Sequence, residues 1–235
     1  MKAPTTLSVF VTSAAALVLL VAAVQPAHAT TIYSALTSSP PTIDGTVSAG
    51  EWTPAGFVAL PHGAAFVQHD ASRLYVLLDM LGDATADPND GDHFWASFDV
   101  NLDTAISPNV DKNFACPIGT SSPLMMQMYL APNTWTTLSA CASVQAEGFG
   151  QTVIAPFPNH RFWEVSFSRD EIAPAGSTLA AMGIKTFSTN PSYNDMTPAA
   201  FSSNFSDLVQ VVMLPEPATA VLVLLGLLMA GRRRR

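Results

Sequence analysis

Short runs of alternating apolar and polar residues recur along the chain, and Gly, Pro, Asn and Asp separate them. Alternation with a period of two places successive side chains on opposite faces of a β-strand. The seven clearest runs are 64–68, 74–80, 94–100, 124–130, 135–140, 162–168 and 182–188. A single helical turn is predicted at 168–172. This spacing of short strands predicts an all-β fold: an antiparallel β-sandwich with a jelly-roll or immunoglobulin-like arrangement of two sheets.

The alternation also predicts which side chains form the core. In the runs 74–80 and 94–100, every second residue is apolar. The residues predicted on core faces are Leu74, Val76, Leu78, Met80, Phe94, Ala96, Phe98 and Val100. Trp95, Ser97 and Asp99 are therefore expected on the opposite face of their strand.

The first 29 residues have the features of a secretory signal peptide. Lys2 precedes an apolar run at 14–24, and residues 27–29 form the small-x-small pattern that signal peptidase cleaves. The run is too short for an ordinary membrane-spanning helix. We therefore expect residues 1–29 to be removed by signal peptidase during export.

The segment 214–235 combines a Pro-Glu-Pro triplet, a short apolar span and a basic end. The residues of the two motifs are Pro215, Glu216, Pro217, Arg232, Arg233, Arg234 and Arg235. As a helix, 218–230 would extend roughly 20 Å, less than the ~30 Å hydrocarbon core. The arginines predict a short transmembrane helix with a cytoplasmic C terminus and an inner-membrane anchor. A plain anchor would have the same orientation.

The order of these motifs resembles the PEP-CTERM sorting signal. The resemblance implies a polysaccharide-producing Gram-negative bacterium and an exosortase-type enzyme that processes the tail. Together the two ends predict an exported protein of the periplasm, cell envelope or extracellular space. A plain anchor, by contrast, would not be removed.

Between the two ends, 30–213 has the size of one ordinary domain with its own core. The whole chain has 10 Lys and Arg against 18 Asp and Glu, a net charge of −8. Because Lys2 and the terminal arginines lie in the ends, the central segment is more acidic than the whole chain. This acidity argues against nucleic acid and anionic lipid as partners, and it suits cations, neutral glycans or simple solubility.

Acidic residues are concentrated between 87 and 111. A D-x-N-x-D sequence beginning at Asp99 has the spacing of oxygen ligands in a calcium loop, although it lacks the glycine and helices of an EF-hand. Several carboxylates close together repel one another unless a cation binds among them. The predicted calcium ligands are Asp90, Asp92, Asp99, Asn101, Asp103 and Asp111. The alternative is a solvated acidic loop without a metal.

The same carboxylates could in principle serve a glycosidase, which needs an acid and an ionised partner at a fixed separation. No G-x-S-x-G, H-E-x-x-H or P-loop motif occurs in the sequence. We therefore expect a non-enzymatic protein with no catalytic residues, and a glycan-processing enzyme is the weaker alternative.

Aromatic rings bind the apolar faces of sugars. Trp95 lies on the non-core face of its strand and Trp135 follows a turn, so both are predicted to bind ligand; a structural role is the alternative for each. Trp52 and Trp163 are predicted in the core.

Cys116 and Cys141 flank a predicted hairpin over 124–140, whose turn contains Pro132 and Asn133. A pair of cysteines in an exported protein predicts a disulfide.

Three segments occur in order along the domain: IDGTVSAGEW at 43–52, VQHDASRLYVLLDMLGD at 67–83 and FWEVSFSRDEI at 162–172. The ordered set resembles the family-nine carbohydrate-binding modules and the DOMON-like sandwiches related to them. The resemblance implies a β-sandwich that binds sugar, haem or neither. Haem ligands would come from His62, His69, His93, His160, Met125, Met126 and Met128. We expect a calcium-stabilised sandwich associated with extracellular polysaccharide or the cell envelope, and a haem-binding redox module is the alternative.

Overall fold

The protein is almost entirely β-strand in the computed structural model. The structure describes residues 30–53, 55–86, 92–115, 124–138, 141–154, 158–199 and 202–214. This part of the chain contains thirteen strands and one short helix. The predicted signal peptide and the predicted sorting segment from Pro215 onward lie outside the described residues.

The strands are short and follow one another closely along the chain. In order they are β1 (Thr31–Leu36), β2 (Gly56–Leu60), β3 (Gly63–His69), β4 (Arg73–Met80), β5 (His93–Asp99), β6 (Lys112–Ala115), β7 (Met125–Ala131), β8 (Thr134–Leu138), β9 (Val144–Gly150), β10 (His160–Ser168), β11 (Leu179–Thr189), β12 (Ser192–Thr197) and β13 (Val209–Met213). The helix α1 (Arg169–Ile172) directly follows β10. Each of the seven predicted runs overlaps a strand, and the predicted helical turn contains α1. Six further strands, β1, β2, β6, β9, β12 and β13, were not predicted.

The strands form two layers that are joined through β1. Sheet A has the order β8–β7–β6–β5–β11–β13–β1, with β12 paired to the second half of β11. Sheet B has the order β1–β3–β4–β10–β9, with β2 paired to β3. The strands β8 and β9 end this order, so the arrangement is open rather than a closed barrel.

The direction of β1 departs from the predicted antiparallel arrangement. Its first four residues run parallel to β13 and its last two run parallel to β3, whereas the other pairings are antiparallel. The sheets are therefore mixed. Alternation specifies which face a side chain occupies, but it contains no information about the direction of the neighbouring strand.

Aromatic rings pack the two sheets against each other. The ring centroids of Phe94 in β5 and Trp163 in β10 are 5.7 Å apart, and those of Phe98 and Phe167 are 5.0 Å apart. Phe114 in β6 also contacts Phe167, at 5.1 Å. These rings are all buried. Burying each such ring stabilises the fold by about 1.5 to 3 kcal/mol, so this contact between β5 and β10 is central to the core.

Alternation identified the core faces correctly. Every residue predicted there is buried except Val100, which is half-buried against the same cluster. The hairpin of β7 and β8 is also confirmed, with Pro132 and Asn133 at its turn. Asn133 has a φ of 55°, a left-handed conformation that Asn tolerates better than most residues.

A long loop between β1 and β2 covers the outer face of sheet B. Trp52 from this loop is buried against Tyr75, Leu77 and Phe162. Its indole Nε1 donates to Oε1 of the buried Glu164, at 3.1 Å. The other oxygen of Glu164 accepts hydrogen bonds from the backbone N–H groups of residues 44 and 45. One buried carboxylate thus fixes the loop to β10.

Glu164→Gln places an amide NH₂ group among donors that already need an acceptor. We expect the free energy of unfolding to fall by about 2 to 4 kcal/mol, because at least one buried donor loses its partner. Urea unfolding at neutral pH measures the change. Trp52→Phe removes the donor to Oε1 of the same buried carboxylate and leaves a void at a buried ring, so it should cost at least as much. A Gln variant as stable as the native protein would show that the carboxylate does not hold the loop.

Candidate functional site

The predicted calcium ligands are divided between two places in the structure. Asp90 lies outside the described residues. Asp92, just before β5, is buried and accepts hydrogen bonds from the backbone N–H of Thr189 at 2.8 Å and from its hydroxyl at 3.1 Å. The other four predicted ligands lie in the loop that joins β5 to β6.

Asp92 belongs to a buried cluster around a guanidinium group. Arg161 Nε lies 2.6 Å from Asp92 Oδ2 and 3.0 Å from Asp83 Oδ2, and Arg161 Nη1 contacts the carboxylate of Glu147. Burial, together with a hydrogen bond to Asp83, raises the pKa of Asp92 to about 7. Arg161 was not predicted from the sequence as a functional residue. A charged residue at the start of the apolar run 162–168 was the available signal.

Asp99 and Asp111 shape the loop between β5 and β6 through hydrogen bonds to its backbone. Both carboxylate oxygens of each residue accept from backbone N–H groups, at 2.6 to 3.2 Å. The donors are Asp103 and Thr104 for Asp99, and Val100 and Ser107 for Asp111. These contacts organise the loop.

The remaining two predicted ligands contact each other at the surface of the same loop. Asp103 Oδ2 accepts from Asn101 Nδ2 at 2.8 Å and from the Ser107 hydroxyl at 2.7 Å. Its other oxygen accepts from the backbone N–H of Ala105 at 2.9 Å. The hydrogen bond from Ser107 lowers the pKa of Asp103. Its charge is therefore stabilised where it lies.

The pKa values of the two buried carboxylates of this loop are raised, whereas the pKa of Asp103 is lowered. Burial raises the pKa of Asp99, and it raises the pKa of Asp111 to about 6 with a contribution from the nearby charges of Asp99 and Asp103. Among the described residues, no group of three or more His, Cys, Asp or Glu side chains is arranged to hold a metal ion. Calcium binding by the acidic residues therefore stays a prediction.

The two tryptophans predicted to bind ligand meet on the outer face of sheet A. The ring centroids of Trp95 in β5 and Trp135 in β8 are 5.7 Å apart, although two strands separate β5 from β8. His93 lies 5.7 Å from the Trp95 ring and 4.9 Å from Phe187, and Lys185 Nζ lies 4.3 Å from the Trp95 ring centroid. All five side chains are half-buried. We call these five residues the aromatic patch.

A row of hydrogen-bonded polar side chains lies on the same face, on β5, β6 and β7. Ser97 Oγ contacts Tyr129 Oη at 2.9 Å and donates to Asn113 Oδ1 at 3.0 Å. Asn113 Nδ2 donates to Gln127 Oε1 at 2.6 Å. The four side chains are buried, although alternation directs them away from the core. The row therefore holds the surface between Trp95 and Trp135 in place, and local alternation did not predict it.

A second cluster of apolar residues supports one side of the patch. Tyr129, Phe205 and Leu208 are buried there, and Trp95 and Trp135 pack against them. Beside this cluster is a cavity of about 80 Å³, lined in part by Asp99 and Gln210. Ligand pockets usually have at least about 300 Å³, so this cavity is too small for a sugar ring.

The structure does not support the predicted Cys116–Cys141 disulfide. Cys141 has a free thiol, and its Sγ donates to the carbonyl oxygens of Leu124 at 3.5 Å and Ser143 at 3.4 Å. Cys116 lies outside the described residues. Burial raises the pKa of the Cys141 thiol, which keeps it protonated.

The histidines proposed as haem ligands are held by other contacts. His69 contacts Ser34 Oγ and Leu214 O, both at 3.0 Å, and His160 contacts Asp79 and the carbonyl of Pro158. Both ring nitrogens of each are thus engaged. His62 Nδ1 contacts the carboxylate of a buried Asp on β12, at 2.8 Å. His69 and His160 are therefore not available as iron ligands, because an iron ligand needs a free ring nitrogen. The haem alternative otherwise stays a prediction.

In the described ranges, no helix is long and apolar enough to cross a membrane. The predicted transmembrane span lies outside those ranges, so this finding leaves the anchor as a prediction.

No protein-family model matches this chain, and no curated protein sequence matches it. Among solved structures, it is similar to a family-nine carbohydrate-binding module from Caldicellulosiruptor kristjanssonii in complex with cellotriose. The identity is 17%, the TM-score is 0.49, and the match covers 78% of this chain and 93% of that module. For a module of the same family and organism with glucose, the values are 17%, 0.48, 79% and 96%. An identity this low says nothing about a ligand.

Asp111→Asn tests the effect of the buried charge. Because the folded state raises the pKa of Asp111 from 3.8 to about 6, its contribution to stability is fully present below about pH 3.8 and is lost as the pH rises through 6. Asn does not titrate, so the stability of the variant relative to the native protein should rise by about 2 kcal/mol as the pH increases from about 4 to 8. The loss of one acceptor for the backbone N–H groups adds a cost that does not change with pH. Urea unfolding at several pH values measures this difference.

Asp103→Asn is the matched comparison for that series. The folded state lowers the pKa of Asp103, so its contribution is present above the unfolded pKa and is lost as the pH falls. The relative stability of this variant should therefore change in the opposite direction to that of Asp111→Asn. Parallel curves for the two variants would contradict the assignment of separate environments.

Calcium binding is tested by the melting temperature of chelator-treated protein. The predicted calcium site requires a rise on adding millimolar calcium, and Asp99→Asn should abolish that rise. A melting temperature that calcium leaves unchanged would show that hydrogen bonds alone hold the loop. The contacts of Asp99 and Asp111 favour this second outcome.

Proposed function

We propose that the protein is a non-enzymatic glycan-binding module whose ligand lies across the aromatic patch. The observation that carries this proposal is the meeting of Trp95 and Trp135 on the outer face of sheet A, at 5.7 Å between ring centroids. Both indoles are half-buried, so part of each ring surface faces solvent. Such surfaces fit the apolar faces of sugar rings.

Several features of the patch suit a sugar better than a purely apolar ligand. Aromatic side chains provide flat apolar surface, and side-chain nitrogens at the same place provide hydrogen-bond donors. The amide of Gln127 and the ammonium of Lys185 lie on the same face as the indoles. Binding sites that combine apolar area with a few positioned polar groups are typical of specific small polar ligands.

The position of the patch favours a polymer over a single sugar. It lies on the outer surface of a sheet, and the rings of His93, Trp95, Trp135 and Phe187 extend across it. A surface of this kind can contact successive sugar units of an extended chain. If residues 1–29 direct export as predicted, the patch would face extracellular or envelope polysaccharide, which we propose as the partner.

Trp135→Ala should remove one of the two indole surfaces without opening the core between the sheets. We expect the affinity for the polysaccharide that the native protein binds to fall at least tenfold, because one of its two aromatic contact surfaces is lost. A tenfold fall corresponds to about 1.4 kcal/mol of binding free energy. Affinity electrophoresis in gels containing single polysaccharides provides the measurement. Circular dichroism confirms that the variant is folded.

Phe57→Ala is the matched control, because Phe57 is 63% exposed but lies on β2 of sheet B. Its loss should leave retention of the polysaccharide unchanged. Equal losses for the two variants, or no retention by any polysaccharide tested, would contradict the proposal. Shortened sugar products after prolonged incubation would contradict a non-enzymatic role.

A further inference from the structure

Lys185 is the positive charge of the aromatic patch. It lies on β11 opposite Trp95, with its ammonium 4.3 Å from the indole centroid. The side chain is half-buried, and burial lowers its pKa. Within the described part of the chain, its ammonium donates to no oxygen and forms no ion pair. The ring face of Trp95 holds the cation, but its three N–H donors are available.

Among the described residues, the neighbours of Lys185 on this face include no carboxylate. Met196 lies opposite it on β12, and Gly183 and Phe187 flank it along β11. The nearest acidic residue on the same face along β5 is Asp99, which pairs with Ala181 four residues from Lys185. Four residues of strand span about 13 Å. The described strands therefore provide no ionic partner for Lys185 on this face.

The two indoles of the patch and Gln127 of the neighbouring polar row also offer donors. Gln127 Oε1 already accepts from Asn113, so its amide Nε2 is the group left to bind a ligand. The indole N–H groups of Trp95 and Trp135 have no hydrogen-bond acceptor within the described residues. The acceptors in the polar row, Ser97 and Asn113 among them, are used within the protein. A neutral hydroxyl group both donates and accepts, whereas a carboxylate only accepts.

We propose that the glycan bound at the aromatic patch is an acidic one, and that Lys185 binds the carboxylate of a uronic acid unit. The adjoining indoles contact the faces of the sugar rings, and the donors of the patch complete the contacts of the carboxylate. This inference rests on the proposed glycan-binding function and specifies its ligand class.

The acidic character of the whole protein does not prevent this contact. The net charge of the chain is −8, but charges beyond a Debye length of about 8 Å are largely screened at physiological salt. The direct contact with Lys185 is shorter than this length, and it forms beside aromatic rings where water is partly excluded. Local attraction therefore exceeds the distant repulsion, although the repulsion should slow association at low salt.

The test uses acidic polysaccharides and neutralised forms of the same backbones. Suitable pairs are polygalacturonate with its methyl ester, and alginate and hyaluronan with their carboxyl-reduced forms. The native protein should bind at least one acidic polymer and bind its neutral counterpart about tenfold more weakly, as expected for a hydrogen bond to a charged group. Isothermal titration with the full chain gives the affinities.

Variants of Lys185 separate charge from packing. Lys185→Met keeps an apolar stem against Trp95 but should lose about tenfold in affinity for the acidic polymer, with no change for the neutral one. Lys185→Arg should retain most of the affinity. Lys112→Met is the matched control: Lys112 is the other lysine of the described domain, it pairs with Phe98 on the core side of sheet A, and its loss should have no effect.

Each outcome has a defined meaning. Equal affinity for acidic and neutral forms, or a Lys185→Met variant that binds acidic polymer as well as the native protein, would overturn the inference and leave glycan binding intact. Binding that depends on Trp135 but occurs only with neutral polymers would have the same meaning. Failure to bind any polymer of either kind would overturn the proposed function itself.

Discussion

The packing of β5 against β10 is the contact on which the rest of the structure depends. Phe94 and Phe98 project from one face of β5 into the core, where they contact Trp163 and Phe167. Because side chains alternate along a strand, burying these two rings forces Trp95 onto the outer face of sheet A. The aromatic patch is therefore a consequence of the core, and a shift of β5 by one residue would move it inside.

Asp92, Asp111 and Asp103 lie in three environments that stabilise a carboxylate in different ways. Asp92 is buried beside a guanidinium group, where it has a pKa of about 7. Asp111 is buried among backbone N–H groups, and Asp103 lies at the surface where its charge is stabilised. A buried carboxylate needs such donors because an isolated buried charge is very costly. These three carboxylates therefore hold backbone or a neighbouring cation in place, and the described residues put no carboxylate beside Lys185.

The patch and the polar row beneath it have complementary roles. The side-chain oxygens of Asn113 and Gln127 accept hydrogen bonds from Ser97 and Asn113. These bonds hold β5, β6 and β7 side by side, so the indoles lie on a defined surface. A binding surface whose side chains are already held in place loses less conformational entropy when ligand binds. The groups still available to contact a ligand include hydrogen-bond donors and aromatic ring faces. These groups are the ones that would bind the proposed acidic glycan.

The sequence by itself determined the positions of seven of the thirteen described strands, the core faces of β4 and β5 and the placement of Trp95 away from the core, because these follow from local alternation. It did not determine that Trp95 and Trp135 meet, or that Asp92 faces Arg161 instead of joining Asp99. It also did not reveal the parallel pairings of β1. These features depend on which distant strands become neighbours. Pairing is selected by the packing of the whole domain, and a local pattern contains no record of it.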